Sequence, residues 1–586
     1  MKTKARRFCP FIPGVVLACM MIFAGVVTPA NTMAGTMTQI STTIPSGFSP
    51  GHMLLLSDGR VLMQDSGNNG WKFFLPDSSG QYSDGSFSNC ASMHDTRLYG
   101  ASDVLPDGRV FVAGGEYGSG MATAEIFDPR ATNGFGSWTY INPPNSLLNP
   151  LLPTPLNVNS NLQAFLDSES MVLPNGNVLV APVNPGVFGG TLIYNPTTST
   201  WSEGGVVHSC SGNQDECGWV KLPGDSILTI DNCYEGTGGA GTATAWTSER
   251  YIPASNSWVL VQNAPGYMFS ASFEIGAPML MTNGQVLYFG GNNKSAIYTP
   301  SPLGGTNSGT WSPGPDIPAG LVMRDAPACT LNNGKMILAF PTPTNDYPFY
   351  IYEYDPGTGT YSSSPVFTET KDVISDECSM LQLPDGDVLF DDTTNVYVYR
   401  PDPSPLAAGQ PAIQSVSWNA DGSLHLTGTL FNGISQGAMY GDEYHQDSNY
   451  PLVSFTDGSG NVTYGRTYNW SSTSVQTGPE IVTTECAVPA NVYKGLYSIR
   501  VIANGNDSAP VSMYMPVWVD FNYTGATQNG SYAAPYKTLA NGVSAVATGG
   551  TIAINGSIQP STSTETPVLS KVLSIIGVPG PALIGH

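Results

Sequence analysis

The chain repeats one pattern of apolar and polar positions seven times between residues 50 and 401. In each copy two apolar runs flank a two-residue turn, as in LLLSDGRVLM, MVLPNGNVLV and LQLPDGDVLF. Asp-Gly and Asn-Gly are strong hairpin signals because the turn needs positive φ. The second turn residues are Gly59, Gly108, Gly176, Asp225, Gly284, Gly334 and Gly386, at intervals of 49, 68, 49, 59, 50 and 52 residues.

Each copy continues with an aromatic residue shortly before a proline, as in Tyr194-Asn195-Pro196, and the middle copies add another aromatic such as Trp201. We interpret one unit as a hairpin, a third strand that ends at the proline turn, and a fourth strand with a large aromatic. A period near 50 with four short strands is typical of a propeller blade. Residues 35–405 are therefore predicted to form a seven-bladed, kelch-like β-propeller, with Thr36 to Ile44 supplying the last blade's missing strand.

Two smaller regions follow the repeats. Alternating runs such as LHLTGTL and YSIRVIA, separated by Gly, Asn and Asp, predict a β-sandwich over residues 411–520. Residues 525–586 contain APYKTLANGVSAVATGGTIAING and VLSKVLSIIGVPG, which resemble the first coil of a pectin-lyase-like parallel β-helix. About three coils are needed to bury a solenoid core, so this tail is predicted to be a partial, β-helix-like segment. The predicted fold class is all-β throughout.

A kelch-like propeller followed by a sandwich resembles the galactose oxidase and glyoxal oxidase family. The runs YGDEYHQDSNYPLVSF and Arg466-Thr467-Tyr468 are similar to the family's early-set, immunoglobulin-like domain, which usually reads close to YGDD…NYPLVR and then R-T-H. The resemblance implies a copper radical oxidase that converts a primary alcohol or aldehyde and reduces O2 to peroxide. It also implies copper held by two Tyr and two His, with one Tyr cross-linked to a Cys.

Counting back from the turn residues tests this resemblance residue by residue. The family's Tyr-His pair in the last blade falls on Asp376 and Glu377, and its cross-linked Tyr falls on Asp167. The Cys partner falls on Tyr99, and the sandwich His falls on Tyr468. The copper-radical site is therefore predicted to be lost, and copper is not expected as a cofactor.

The same count shows that five of the seven inner strands begin with an acid. We expect these residues at the mouth of the central channel, where the family holds copper. Three interpretations stay open: a solvated rim with acids paired to Arg97 and Arg324, a site for Ca²⁺ or another hard cation in a water-filled funnel, and acid–base catalysis by crowded carboxylates. The candidate channel-mouth residues are Tyr99, Asp167, Glu216, Glu274, Asp325, Asp376, Glu377 and Tyr468, with Asp167, Glu216, Asp325 and Glu377 as the candidate cation ligands.

Charge and targeting signals narrow the possible partners. The chain has 21 Lys+Arg against 44 Asp+Glu, so nucleic acid would be repelled. Residues 1–34 combine a basic start, an apolar run and small residues before Ala30 and Ala34, which predicts a secretory signal peptide and a secreted, extracellular protein. A lipoprotein signal ending at Cys19 is an alternative. No later segment is long and apolar enough to span a bilayer.

Seven of the nine cysteines follow the predicted signal peptide. In an exported chain they are expected as buried thiols or disulfides, for example Cys210 with Cys217, because no spacing matches a zinc site.

These patterns lead to three functional hypotheses. The first is a secreted galactose oxidase-like propeller that lacks the copper site and binds carbohydrate or another cell-surface or matrix ligand through the propeller face. The alternatives are a copper-dependent oxidase that produces hydrogen peroxide, with His94 or His445 completing a rearranged site if loops shift, and an extracellular structural scaffold.

Overall fold

The regular secondary structure of the described residues is almost entirely β-strand, as predicted. No helix in the part of the chain that the structure describes could cross a membrane. The computed structural model describes residues 34–148, 165–182, 190–208, 214, 217–231, 247–270, 274–301, 309–344, 346–371, 373–402, 404–440, 444–558 and 560–585.

Seven antiparallel blades form the propeller: six are separate four-stranded sheets, and blade 6 is the four-strand part of a seven-stranded sheet. The first strand of the chain, β1 (Thr36–Gln39), belongs to the last sheet. Blades 1 to 3 are β2 (Pro50–Leu55), β3 (Val61–Asp65), β4 (Trp71–Leu75) and β5 (Ser86–Asn89); β6 (Gly100–Val104), β7 (Val110–Gly114), β8 (Ala124–Asp128) and β9 (Ser137–Tyr140); β10 (Ser170–Val172), β11 (Val178–Val180), β12 (Gly190–Asn195) and β13 (Thr200–Val206). Two one-turn helical segments, α1 (Ala131–Gly134) and α2 (Asn145–Leu148), lie in connections.

The remaining four blades repeat the arrangement. In blade 6 an additional strand also pairs with the third strand. Blades 4 to 7 are β14 (Val220–Lys221), β15 (Ile227–Ile230), β16 (Ser248–Ile252) and β17 (Ser257–Leu260); β18 (Ile275–Leu280), β19 (Val286–Gly290), β20 (Ser295–Thr299) and β21 (Thr310–Pro313); β22 (Ala328–Thr330), β23 (Met336–Pro341), β24 (Phe349–Asp355) and β25 (Thr360–Tyr361), with the additional β26 (Phe367–Glu369); β27 (Ser379–Gln382), β28 (Val388–Asp391), β29 (Val396–Arg400) and β1.

The ring closes where the sequence predicts. Strand β1 pairs antiparallel with β29, so that Met37 lies opposite Tyr399. The backbone N–H of Gly35 donates to the Tyr399 hydroxyl at 2.9 Å. The first strand of the propeller thus completes the last blade and covers an edge that would otherwise expose unpaired backbone groups.

The repeated aromatic residues form one cross-strand pair in each of five blades, and Phe74 and Phe87 form a sixth such pair in blade 1. The third-strand ring lies directly opposite the fourth-strand ring in the strand register, as in Tyr251 opposite Trp258. Such pairs stabilise antiparallel sheets and fill the space between blades. The ring centroids are 4.9 Å apart for Phe127 and Trp138, 5.1 Å for Tyr194 and Trp201, 5.5 Å for Tyr251 and Trp258, 5.0 Å for Tyr298 and Trp311, and 4.9 Å for Tyr354 and Tyr361.

The sandwich packs against the end of the propeller that carries the hairpin turns, here called the turn face. Gly59, in the blade 1 turn, has φ +79° and lies so close to Tyr464 that a Cβ would be 2.6 Å from the ring. The sandwich strands are β30 (Ala412–Trp418), β31 (Leu424–Thr429), β34 (Leu452–Thr456), β35 (Val462–Tyr468), β36 (Val482–Ala487), β37 (Gly495–Ala503), β38 (Asn506–Asp507) and β39 (Val511–Met515), and the intervening hairpin is β32 (Gly437–Tyr440) and β33 (Tyr444–Asp447).

That hairpin extends from the sandwich into the centre of the propeller. Strand β32 pairs antiparallel with β22, Met439 opposite Ala328, and the hairpin lies beside inner strands of six blades, namely β2, β6, β10, β18, β22 and β27. Because β32 runs against β22, the hairpin runs from the turn face towards the opposite end of the ring. Backbone, and not a water-filled funnel, therefore occupies the centre along these strands.

The tail forms parallel strands, as the β-helix-like prediction requires. β40 (Val517–Val519), β41 (Thr551–Asn555) and β43 (Ser574–Val578) make one parallel sheet, and β42 (Thr562–Ser563) and β44 (Leu583–Ile584) make another. The helix α3 (Leu539–Ala545) packs on the first. Strand β40 falls inside the predicted sandwich but pairs with the tail, because its apolar side chains are buried in the tail's core.

Four cysteines, Cys90, Cys329, Cys378 and Cys486, are buried free thiols. Burial raises the pKa of the Cys90 thiol to about 12. Cys217 is also buried, and Cys210 lies outside the described residues, so the predicted bridge between them stays a prediction.

Candidate functional site

The inner strands begin at the end of the propeller opposite the turn face, here called the strand-start face. Three of the predicted site residues lie within three positions before an inner strand and have positive φ. They are Tyr99 in blade 2 (φ 55°), Asp167 in blade 3 (φ 36°) and Asp325 in blade 6 (φ 44°). Positive φ is uncommon for residues other than glycine, and it costs on the order of 1 kcal/mol or more. Three blades therefore share one bent backbone geometry at the predicted site positions.

Blade 7 presents its two acids differently. Asp376 and Glu377 lie in a single 3₁₀ turn, Ser375–Glu377, immediately before the inner strand. Ser375 is buried and anchors the turn, while both acids are half-buried. The short turn explains why two acids precede an apolar strand, since it keeps both residues half-buried at the start of the strand.

The structure brings Tyr99 and Asp376 together across the face. The Tyr99 hydroxyl donates to Oδ2 of Asp376 at 3.4 Å. The other carboxylate oxygen, Oδ1, is buried and accepts no hydrogen bond from another described residue. Burial raises the pKa of Asp376 to about 6, and the charges of Asp346 and Glu377 act in the same direction. Asp376 is thus a carboxyl group with unused hydrogen-bonding capacity and a pKa close to neutral.

A small cleft beside this pair is lined by a histidine that the sequence analysis did not single out. His52 is buried on β2, and its Nε2 lies 2.7 Å from Oγ of Ser102. Burial lowers the pKa of His52 to about 3, so its imidazole is neutral at physiological pH. The cleft also contains Tyr99, Asp376 and Glu377, so a neutral imidazole lies beside two acids.

Arg324 connects further acids of the face. Its Nε donates to Oδ1 of Asp346 at 2.7 Å, and this bond is the main reason that the pKa of Arg324 is raised. The charges of Asp325 and Glu274 raise that pKa further. The charge of Asp346 also raises the pKa of Asp376. Charged groups of blades 5, 6 and 7 therefore interact with one another across this face.

Arg97, the other arginine predicted to pair with the acids of a solvated rim, has a structural role. Arg97 is buried, with Nη2 3.0 Å from Oε1 of Glu125 and Nη1 2.7 Å from the carbonyl oxygen of Gly114. Arg97 therefore links strands of blade 2 and does not neutralise the carboxylates of Asp376 and Glu377.

Tyr468 lies at the other end of the molecule. It ends β35 of the sandwich, under the guanidinium of Arg466 at 4.5 Å, and Arg466 donates to the carbonyl of Asp107 in the blade 2 turn. The prediction that Tyr468 lines the channel mouth is wrong, because β35 lies along the turn face and only the β32–β33 hairpin enters the ring. Strand β6 separates Tyr99 from that turn.

The cation prediction gains no support from the described carboxylates. Within the described ranges, no group of three His, Cys, Asp or Glu side chains could hold a metal ion. Asp167, Asp325 and Glu377 thus do not converge on one point, although Asp167 is buried at the start of its strand. Glu216 lies outside the described residues, so the four-carboxylate site stays a prediction.

At the positions that the resemblance matches to the copper ligands, the residues differ from those of the copper site that it implies. The matched positions supply carboxyl groups and the phenols of Tyr99 and Tyr468, whereas the site that the resemblance implies has two phenols and two imidazoles. His94 binds the buried Glu125 through Nδ1 and stacks on Tyr140. His445 lies on β33, opposite Met439.

Comparison with known proteins finds similarity to solved structures only. No family model and no curated protein matches the chain. A solved structure described as a novel fungal alcohol oxidase of the AA5 family, in complex with copper, aligns with 83% of this chain and 99% of its own, at 13% identity and a TM-score of 0.44. The seven-bladed arrangement itself is seen directly in the strand pairing of this chain.

Proposed function

We propose that this chain is a secreted binding protein that takes a neutral saccharide on its strand-start face. The observation that carries the proposal is the Tyr99–Asp376 contact in the small cleft of the strand-start face. Carboxyl groups accept hydrogen bonds from hydroxyl groups, so a ligand hydroxyl in that cleft is a fitting donor for Asp376.

An exposed aromatic ring lies next to this contact. Tyr117, on the β7–β8 loop, is 67% exposed, and its ring meets that of Tyr99 at 6.0 Å in an edge-to-face geometry. Glu116 is half-buried beside it and hydrogen-bonds to Tyr117. Aromatic rings offer an apolar face with a polar tip, and carboxylates accept from hydroxyl groups. A sugar ring, with C–H faces and a hydroxyl edge, matches both.

The charge of the protein favours neutral over acidic ligands. The net charge is −23, and the strand-start face concentrates acids around Asp346, Asp376 and Glu377. Such a surface repels nucleic acids and acidic polysaccharides. The proposed partners are therefore neutral cell-surface or matrix carbohydrates. Secretion is part of the proposal and rests on the signal-like residues 1–34.

A glycan array with the secreted protein tests this function. We expect retention on neutral glycans, and loss of retention for Tyr117→Ala and Asp376→Asn. Tyr140→Ala is the matched control, because Tyr140 is also a partly exposed tyrosine of blade 2. Retention of no glycan would contradict saccharide binding, and peroxide release on galactose or glyoxal would favour the oxidase alternative.

A further inference from the structure

A second, larger cavity lies where the sandwich meets the tail. Its volume is about 310 Å³, at the lower end of the range for small-molecule sites. Trp418 and Tyr468 come from the sandwich, and Trp518 and Tyr532 come from the tail region. None of these residues belongs to the strand-start face, so the cavity is independent of the site proposed above. Boundaries between domains are common places for ligand sites.

Packing fixes the aromatic walls of this cleft. Trp518 is buried, and its ring meets Trp418 at 5.5 Å and 87° and Tyr532 at 4.9 Å and 81°. Gly422 lies directly against Tyr532, where an added Cβ would be 2.4 Å from the ring. Trp518 therefore joins the tail to the sandwich, while Trp418 and Tyr532 remain partly exposed to the cavity. Rings held in place before binding lose little freedom when a ligand arrives.

The polar groups of the cleft include both an acceptor and a donor. Asp421 is exposed; its Oδ1 accepts from the N–H of Ser423 at 3.0 Å, and its Oδ2 accepts from the Tyr468 hydroxyl at 3.5 Å. The guanidinium of Arg466 lies over the Tyr468 ring. A carboxylate can accept several hydrogen bonds and a guanidinium can donate five, so both retain capacity for a ligand.

This combination selects the class of ligand. An anion would be repelled by Asp421, and a cation would be repelled by Arg466. A neutral ligand with many hydroxyl groups can donate hydrogen bonds to Asp421 and accept them from Arg466. Its C–H face can pack on the aromatic walls. We propose that this cleft is a second saccharide site. Two sites on one chain would strengthen attachment to a polymeric glycan without any new contact.

Fluorine NMR of the full chain labelled with 5-fluorotryptophan tests the cleft directly. The probes are neutral disaccharides of glucose, galactose, mannose and xylose, and Trp418→Phe assigns the Trp418 resonance among the ten tryptophans. We expect a saturable shift of that resonance with at least one disaccharide. Asp421→Asn, an exposed substitution that keeps the side-chain shape, should raise the Kd for this shift about tenfold. Tyr532→Ala should abolish it.

The matched control is Asp457→Asn, since Asp457 is a partly exposed sandwich aspartate whose Oδ1 accepts from the N–H of Ser459, two residues on, as Oδ1 of Asp421 accepts from Ser423. An unchanged Trp418 resonance with every probe, or equal saturation in Asp421→Asn, would overturn the cleft proposal. The proposals for the cleft and for the strand-start face can be contradicted separately. If Tyr117→Ala and Asp376→Asn abolish glycan binding while Trp418 never responds, only the cleft is wrong. If Trp418 responds and those variants change nothing, the strand-start site is wrong.

Discussion

The hydroxyl of Tyr99 in blade 2 lies 3.4 Å from Oδ2 of Asp376 in blade 7. The two residues are 277 positions apart in sequence, and the ring places blade 1 between their blades. This contact therefore exists only when the propeller closes, and it reports on the geometry of the strand-start face.

The pKa of Asp376 should respond in opposite directions to changes in its two neighbours. The Tyr99 hydrogen bond lowers this pKa, and the charge of Glu377 raises it. Tyr99→Phe is thus expected to move the pKa above about 6, and Glu377→Gln to move it below. Carbon NMR of labelled aspartate carboxyls measures both shifts, with Tyr140→Phe as the control. Shifts of the same sign would contradict the described geometry.

Asp376→Asn should stabilise the protein at neutral pH. The folded-state pKa of about 6 exceeds the ordinary value of 3.8, so the native state holds this proton more tightly. The favourable contribution is complete below about pH 4 and is lost as the pH rises through about 6. We expect a gain of about 1 to 3 kcal/mol at pH 7 and little change at pH 4. Urea unfolding at both pH values measures it; a loss at pH 7 would show that the charged form is needed.

Asp391 should make the stability of the protein depend on pH over a wider range than Asp376 does. Asp391 is fully buried, and Oγ of Ser379 donates to its Oδ2 at 2.6 Å. Burial raises the pKa of Asp391 to about 8, so its contribution falls as the pH rises from about 4 to 8. Asp391→Asn is expected to reduce the difference in unfolding free energy between pH 5 and pH 9 by about 3 to 5 kcal/mol. Equal differences in wild type and variant would contradict this.

The cross-strand aromatic pairs should carry a large share of blade stability. Trp258 is fully buried between Tyr251 and Trp219, at 5.5 and 5.4 Å between ring centroids. Trp258→Ala should cost about 3 to 5 kcal/mol of unfolding free energy, as other buried aromatic truncations do. Leu260→Ala, on the same strand but 53% exposed, is the control and should cost less than about 1 kcal/mol. Similar losses for both would contradict the packing role.

The repeated pattern of turns and aromatic residues predicts the blades, but it does not predict the hairpin in the centre of the propeller. The seven turns, the aromatic pairs and the closing strand Thr36–Gln39 all depend on neighbours in sequence or on the repeat itself. The β32–β33 hairpin instead pairs with β22, more than 100 residues earlier, and no periodicity marks that contact. The strand-start acids were found by counting within the repeat, whereas the partners His52 and Asp346 lie outside the counted positions.

Tyr468 shows the limit of matching motifs without structure. The ungapped match to R-T-H placed it at the channel mouth, but the chain reaches the ring centre through a different segment. The aromatic cleft was missed for a related reason, since Trp418, Trp518 and Tyr532 come together only when the tail docks on the sandwich.

Titration calorimetry with a neutral oligosaccharide retained on the glycan array tests the central claim most directly. The wild type, Tyr117→Ala, Asp376→Asn and the control Tyr140→Ala are compared in the Asp421→Asn background, which isolates the strand-start face from the cleft. Saccharide binding at that face predicts that Tyr117→Ala and Asp376→Asn each weaken the affinity at least tenfold, while Tyr140→Ala does not. Equal affinity in all four proteins would show that the strand-start face is not the binding site.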